Sequence, residues 1–321
     1  MSSILTNASA LSALQSLTQT QAALNTTESQ VSTGLAVSSA ADNAAYWSIA
    51  TQLNSDSGVV TAASQALSQS QSVLSTASSA ISSVVTTIKA IQTALTEATN
   101  PGADIGNIAT TLTSLGQQLT DAVQGASFNG LNVLDGTQST TGTVAGTISF
   151  ISGFNATATG GSVNTIGLAT QALIATTAGI AAGATAASGI LEGGTGSAAG
   201  AGTDLLTLGT ALSTAYGTGN AAGATAAATL ANTDLGGVAT VLNAVTNYAA
   251  QIGATQDRMT AASTFNSALT TNYATGVSAL VDANMNQAST RLQALQTQEQ
   301  LGIQSLSIAN QNAQLILKLF P

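Results

Sequence analysis

Residues 58–99 read GVVTAASQALSQSQSVLSTASSAISSVVTTIKAIQTALTEAT, and the spacing of apolar positions in this stretch decides the fold. Val60, Ala63, Leu67, Ser70, Leu74, Ala77, Ile81, Val84, Ile88, Ile91 and Leu95 alternate steps of three and four without a break. Such a heptad seam lays one narrow stripe along a helix that packs lengthwise against other helices. At about 1.5 Å per residue the helix runs roughly 60 Å, longer than most globular domains need. Asn100-Pro101-Gly102 ends it, because proline cannot continue a helix and disfavours helical geometry before it. Asp104 then caps a second helix with Ile105, Ile108, Leu112, Leu115, Leu119 and Ala122 on its seam. The short connection predicts antiparallel packing of the two.

The same spacing appears at both ends of the chain. Leu14, Leu17, Gln21, Leu24, Glu28, Val31 and Leu35 predict a helix over residues 3–34, closed by Gly34 as C-cap. Ala288, Leu292, Leu295, Glu299, Gly302, Leu306, Ala309, Ala313, Ile316 and Phe320 predict another to the C-terminus. Before it, Val238, Leu242, Val245, Ala249, Ile252, Gln256 and Met259 carry a third stripe from Asp234 to about Asp282. Stripes at opposite termini, with a glycine-rich middle, imply a hairpin-like molecule whose ends lie together.

Between these helices the signals are local. Residues 35–56 read as a short helix capped by Ser39 or Asp42, with irregular chain on either side. Tyr46-Trp47 reads as a wedge packed against neighbouring helices. Asn129-Gly130 and Asp135-Gly136 flank an apolar run, a turn pattern that predicts a short hairpin. From 137 to 233 the pattern dissolves into Gly, Ala and Thr. Strands are expected at 143–144, 147–151 and 165–174, helices at 204–216 and 221–231, and loop over 179–202. The fold class is mainly α: long coiled-coil-like helices from both termini packed together, with a small central domain open to β structure. Three domains are expected: 1–45 with 283–321, 46–136 with 234–282, and 137–233.

Composition narrows function. Of 321 residues only 5% are charged and 3% aromatic, against about a quarter charged in an ordinary soluble protein. Small and uncharged polar residues fill the gap, which suits a surface largely covered by copies of itself. Lys89, Arg258, Arg291 and Lys318 are the only fixed cations and the net charge is −9, which excludes nucleic acid as a partner. Mean hydropathy is +0.32, yet every stripe is broken by Ser, Thr, Gln or Asn, so no membrane insertion is expected. Cysteine and histidine are absent, the 13 carboxylates do not cluster, and glycine runs such as 193–196 lack a following Lys-Ser/Thr. No enzyme and no cofactor are expected. The first residues lack the basic and apolar regions of a cleaved signal peptide.

Several short elements, taken together, resemble bacterial flagellin. Val31-Ser32-Thr33-Gly34-Leu35 followed by Ser38-Ser39-Ala40-Ala41-Asp42-Asn43-Ala44-Ala45 is similar to the family's N-terminal signature. Phe128-Asn129-Gly130 with Leu134-Asp135-Gly136 resembles its turn after the second helix. Gly253-Ala254-Thr255-Gln256-Asp257-Arg258 resembles the element opening its C-terminal half. Leu301-Gly302-Ile303-Gln304 and Ala309-Asn310-Gln311 match its last helix, and Tyr46-Trp47 looks like the alphaproteobacterial variant. The chain departs from the family at Gln30, where arginine is common, and at Ala313, where proline is.

The resemblance implies a secreted subunit that polymerises with itself into the extracellular flagellar filament. Its partners would be the export apparatus of the flagellar type III route, a secretion chaperone, and hook-associated and cap proteins. Filament-core packing would fall on Leu11, Leu14, Leu17, Leu24, Val31, Leu292, Leu295, Leu306, Ala309, Ile316 and Phe320. The bundle seam would be Leu67, Leu74, Ile81, Val84, Ile88, Ile91, Leu95, Ile108, Leu112, Leu115, Leu119, Val245 and Ile252. Gly34, Asp42, Asn43, Asn129, Gly130, Arg258, Asn310 and Gln311 are the family-matched positions. Many members carry an arginine-rich stretch read by an animal immune receptor; Lys89, Ala90, Gln92 and Thr93 stand in the equivalent place. A hook–filament junction protein remains the alternative.

Overall fold

The computed structural model describes residues 7–136, 145–157, 160–174, 189–192, 204–217, 219 and 221–319. In order they form α1 (Ala8–Thr33), α2 (Ala44–Ala98), α3 (Ile105–Gln124), β1 (Ser127–Phe128) and β2 (Leu131–Asn132). There follow β3 (Ala145–Thr157), β4 (Gly160–Gln171), a 3₁₀ turn (Ile190–Glu192), α4 (Leu208–Tyr216), α5 (Ala221–Val281) and α6 (Met285–Leu319). The chain divides into two compact units, residues 1–58 with 269–321 and residues 59–268. The mainly α class with a small β-containing centre is what the structure shows.

In the first unit α1 and α6 pack together as an antiparallel pair. Asn7 caps α1 by accepting from the Ala10 N–H, and its own amide donates to the Ala309 carbonyl at 2.9 Å. Gln21 donates to Glu299 at 3.4 Å, and the Ala283 N–H donates to the Gly34 carbonyl at 2.8 Å. Gly34 is the C-cap, at φ 74°, its N–H returned to Gln30. On α6 the covered positions are the expected ones: Ala288, Leu292, Leu295, Glu299, Gly302, Leu306 and Ala309. On α1 the expected stripe is out of phase. Ala10, Ala13, Leu17, Thr20, Leu24, Thr27 and Val31 are covered, whereas Leu11, Leu14, Gln21 and Glu28 are exposed. The shared face of α1 thus interleaves Ala and Thr with Leu17, Leu24 and Val31, and Leu11 and Leu14 lie off it.

The second expectation to fail is the short helix within 35–56. Asp42 caps nothing; Asn43 accepts from the Ala45 and Tyr46 N–H groups, and from there α2 runs unbroken for 55 residues. The stripe of 58–99 extends back through Leu53 and Ala50, which carries the helix across Gly58.

The second unit is built on one core drawn from α2, α3, α5 and the central elements. The predicted seam of α2 is buried from Val60 to Leu95, with Ser70 alone half-buried. Asp104 caps α3 by accepting from Asn107, and Ile105, Ile108, Leu112 and Leu119 are buried with Leu115 half-buried. β1 and β2 form the expected hairpin around Asn129 at φ 52° and Gly130 at φ 78°, both left-handed as a two-residue turn requires. β3 and β4 form a longer antiparallel hairpin with a bulge between Ile151 and Gly153. Its inner face sends Phe150, Ile166 and Leu168 into the core, and Asn266 of α5 donates to the Ser152 carbonyl at the bulge. The expected strands at 147–151 and 165–174 fall largely within it; 143–144 lie outside the described residues.

The expected break between 231 and 234 does not occur. Ala227, Ala231, Val238, Val241 and Val245 are all buried, so one stripe passes through and α5 is a single helix of 61 residues. The reading missed it because alanine marks the covered face there. α4 packs closely on α3 through Gly209, where an added Cβ would lie 2.5 Å from the Ala109 carbonyl oxygen. Ile190 and Leu191, inside the stretch read as loop, are buried.

Candidate assembly surfaces

An antiparallel pair with a single shared stripe leaves most of each helix uncovered. Leu11 and Leu14 of α1 are 60% and 50% exposed, and Leu301 and Ile308 of α6 are 58% and 60%. Leu301 and Ile308 stand seven residues apart, so they share one face of α6, away from the stripe that meets α1. The pairing sets Asn7 beside Ala309 and Leu17 beside Gly302. Leu11 and Ile308 therefore lie at nearby levels of the pair. Of the predicted core-packing set, Leu17, Leu24, Val31, Leu292, Leu295, Leu306 and Ala309 are brought together within the chain, and Leu11 and Leu14 are not. The Ile316 side chain and Phe320 lie outside the described residues.

A second uncovered apolar surface lies at the start of α2. The Asp42 carboxylate gathers the N–H and hydroxyl groups of both Ser38 and Ser39, at 2.9–3.1 Å. The hydrogen bond from the Ser39 N–H, followed by those from the two hydroxyls and the Ser38 N–H, holds this carboxyl below its usual 3.8. The tightened loop hands the chain to Asn43, which starts the helix. Tyr46, Trp47 and Ile49 then stand 47%, 40% and 48% exposed. Tyr46 and Trp47 are not packed away as the expected wedge would require, although Ala50 and Leu53 on the seam beside them are covered.

Elsewhere the predicted positions sort by face. Lys89, Ala90 and Thr93 are exposed on the flank of α2 behind Ile88 and Ile91, and Gln92 is half-buried. Thr93 donates its hydroxyl back to the Lys89 carbonyl at 3.0 Å. Arg258, Asn310 and Gln311 are exposed; Val245 and Ile252 are buried in the core. Sequence reasoning missed Tyr248, fully buried, whose hydroxyl donates to the Val133 carbonyl at 2.7 Å and ties α5 to the segment after β2. Burial pushes its phenol up to about 12, partly opposed by a backbone hydrogen bond at Gln171. Tyr248 stands directly before Ala249, one position off the expected stripe, so the stripe carried no signal for it. Asn132 holds the same segment from below, donating to Val123 and accepting from Leu134.

Among the described residues no group of His, Cys, Asp or Glu is placed to hold a metal, and no helix is long and apolar enough to cross a membrane. What the geometry offers is apolar helix surface in search of other helices. The sequence matches the family model for the bacterial flagellin N-terminal helical region over residues 4–139, and that for the C-terminal helical region over 235–320. It is 37% identical to flagellin C of Rhizobium meliloti strain 1021 over 329 aligned residues, covering all of this chain and 99% of that protein. The chain belongs to the bacterial flagellin family. Flagellin of Brucella melitensis biotype 1 is 35% identical, again over the whole chain and 99% of the relative. Flagellin A of R. meliloti strain 1021 is 40% identical over 134 residues, 42% of this chain. This flagellin is thus a structural subunit of the extracellular flagellar filament, of a family of structural proteins and not of enzymes, and it polymerises with itself.

Proposed function

We propose that the subunit joins its neighbours through the apolar surface its own fold leaves uncovered. The carrying observation is the pairing of α1 with α6 through Ala10, Ala13, Leu17, Thr20, Leu24, Thr27 and Val31, which turns Leu11, Leu14, Leu301 and Ile308 outward. Residues 1–45 with 283–321 would form the filament core, 46–136 with 234–282 the surrounding layer, and 137–233 the outward part. Tyr46, Trp47 and Ile49 would be covered by the adjacent subunit. A contact repeated head to tail between unlike surfaces does not close and so propagates a helix of subunits.

The chain has no catalytic activity in this reading. It travels by the flagellar type III route, escorted by a chaperone, and meets hook-associated and cap proteins. Lys89, Ala90, Gln92 and Thr93 replace an arginine-rich receptor contact. Arginine is a frequent hot spot and its loss can cost about 2 kcal/mol or more, so the animal receptor should respond poorly. Electron microscopy of the purified chain under polymerising conditions tests the assembly reading. Long filaments support it; short caps or rings that fail to elongate would favour a junction protein instead.

A further inference from the structure

We propose that Asn129 is a site of spontaneous covalent modification, in which its side-chain amide is lost through a cyclic imide formed with Gly130. Asn129-Gly130 is the one asparagine–glycine step in the chain. Both residues are exposed, and nothing lies within 4 Å of where a Cβ on Gly130 would stand. Among the described residues the Asn129 carboxamide has no hydrogen-bond partner. Many of the other described asparagines are held. Asn7, Asn43 and Asn284 cap helices, and Asn132 and Asn266 are buried and bonded to carbonyls. Asn25, Asn54, Asn243 and Asn272 sit within helices, where the next N–H is committed to the helical ladder. Asn100 precedes Pro101, whose nitrogen carries no proton to lose.

The reaction needs only water and base. The Gly130 backbone nitrogen loses its proton and attacks Cγ of Asn129. The new N–Cγ bond forms, the Cγ–Nδ2 bond breaks, and Nδ2 leaves as ammonia after taking a proton from water. Water then adds to one of the two imide carbonyls and opens the ring, leaving aspartate or isoaspartate; nothing is oxidised or reduced. Glycine permits it because no Cβ shields its nitrogen, and because it turns through the required backbone angles without strain. The ladder that pins the turn is only two pairs long, Ser127 with Asn132 and Phe128 with Leu131, so local opening costs little.

The product has a structural consequence. Isoaspartate adds a carbon to the backbone of a two-residue turn and would break the register that seats Asn132, Val133 and Leu134, all buried. A subunit outside the cell is beyond intracellular repair, so the product would accumulate with filament age.

The test holds the purified full-length monomer at mildly alkaline pH in ¹⁸O-labelled water. Peptide mapping with electron-based fragmentation separates aspartate from isoaspartate. The expected result is conversion at Asn129 severalfold ahead of every other asparagine, with both products, incorporated label, and a rate that rises with pH. Gly130→Ala should slow it severalfold; the time course of the unaltered chain stands independently should that variant misfold. Conversion at Asn129 no faster than elsewhere would overturn the proposal, as would aspartate alone. So would an intact Asn129 in the folded chain beside rapid conversion in the urea-unfolded one, since the hairpin would then protect it.

Discussion

Replacing Leu11 and Leu14 together by serine separates folding from assembly. Full burial of a leucine side chain stabilises by about 1.5–3 kcal/mol, and the chain leaves 60% and 50% of these two exposed. Covering the remainder by a neighbouring subunit is therefore worth about 1–1.5 kcal/mol for each, or about 2–3 kcal/mol together. Since every 1.4 kcal/mol is tenfold, the critical concentration for polymerisation should rise roughly 30- to 140-fold. The monomer should barely notice, because exposed substitutions away from special features usually stay within about 0.5 kcal/mol. Sedimentation of polymer at graded concentrations gives the first quantity and urea unfolding of the monomer the second. Leu295→Ala is the contrast: at 9% exposure it lies in the α1–α6 contact and should cost the monomer about 2–5 kcal/mol. An unchanged critical concentration for the double variant, or a monomer as damaged as Leu295→Ala, would refute the assignment of Leu11 and Leu14 to contacts between copies.

Three further outcomes follow from the second unit and the α1–α2 loop. Gly209→Ala should destabilise by about 1–3 kcal/mol, because its Cβ would press on the Ala109 carbonyl, whereas Gly236→Ala in α5, with open space around it, should stabilise by about 0.5–1 kcal/mol; urea midpoints of the two variants should move in opposite directions. Tyr248→Phe should cost about 1–3 kcal/mol by leaving the buried Val133 carbonyl unpaired. Because the folded phenol is raised from 10.0 to about 12, its protonated form contributes stability below pH 10 that is lost as pH rises towards 12, and this alkaline loss should shrink in the variant. Asp42 has the opposite sign. Its lowered pKa contributes loop stability above 3.8 that is lost as pH falls below it, so hydrogen exchange at Ser38 and Ser39 should quicken in acid, and Asp42→Asn should abolish that step.

The long helices were legible because large apolar residues recur at fixed steps: the α2 seam is buried as read, and α6 meets its partner through the predicted face. Legibility failed where small residues decide packing. Ala10, Ala13, Thr20 and Thr27 hold α1 against α6, and Ala227 and Ala231 carry α5 through a polar stretch, yet a search for leucine and valine passes over all of them. The turn at Asn129-Gly130 and the caps at Gly34 and Asp104 were readable from backbone chemistry alone. Asn43 was missed as a cap because Ser39 and Asp42 are equally good candidates, and the choice falls to a loop that spends Asp42 on two serines. The proposed assembly surface is only half legible. Its residue types were evident, but which of Leu11, Leu14, Tyr46 and Trp47 face a neighbour depends on which face the chain consumes for itself.

A helical reconstruction of the assembled filament tests the central claim most directly. The account predicts that Leu11, Leu14, Tyr46, Trp47, Leu301 and Ile308, exposed in the single chain, are buried against other copies, with the α1–α6 pairing retained within each subunit. A filament in which these side chains stay open to solvent, while copies meet through other surfaces, would contradict it.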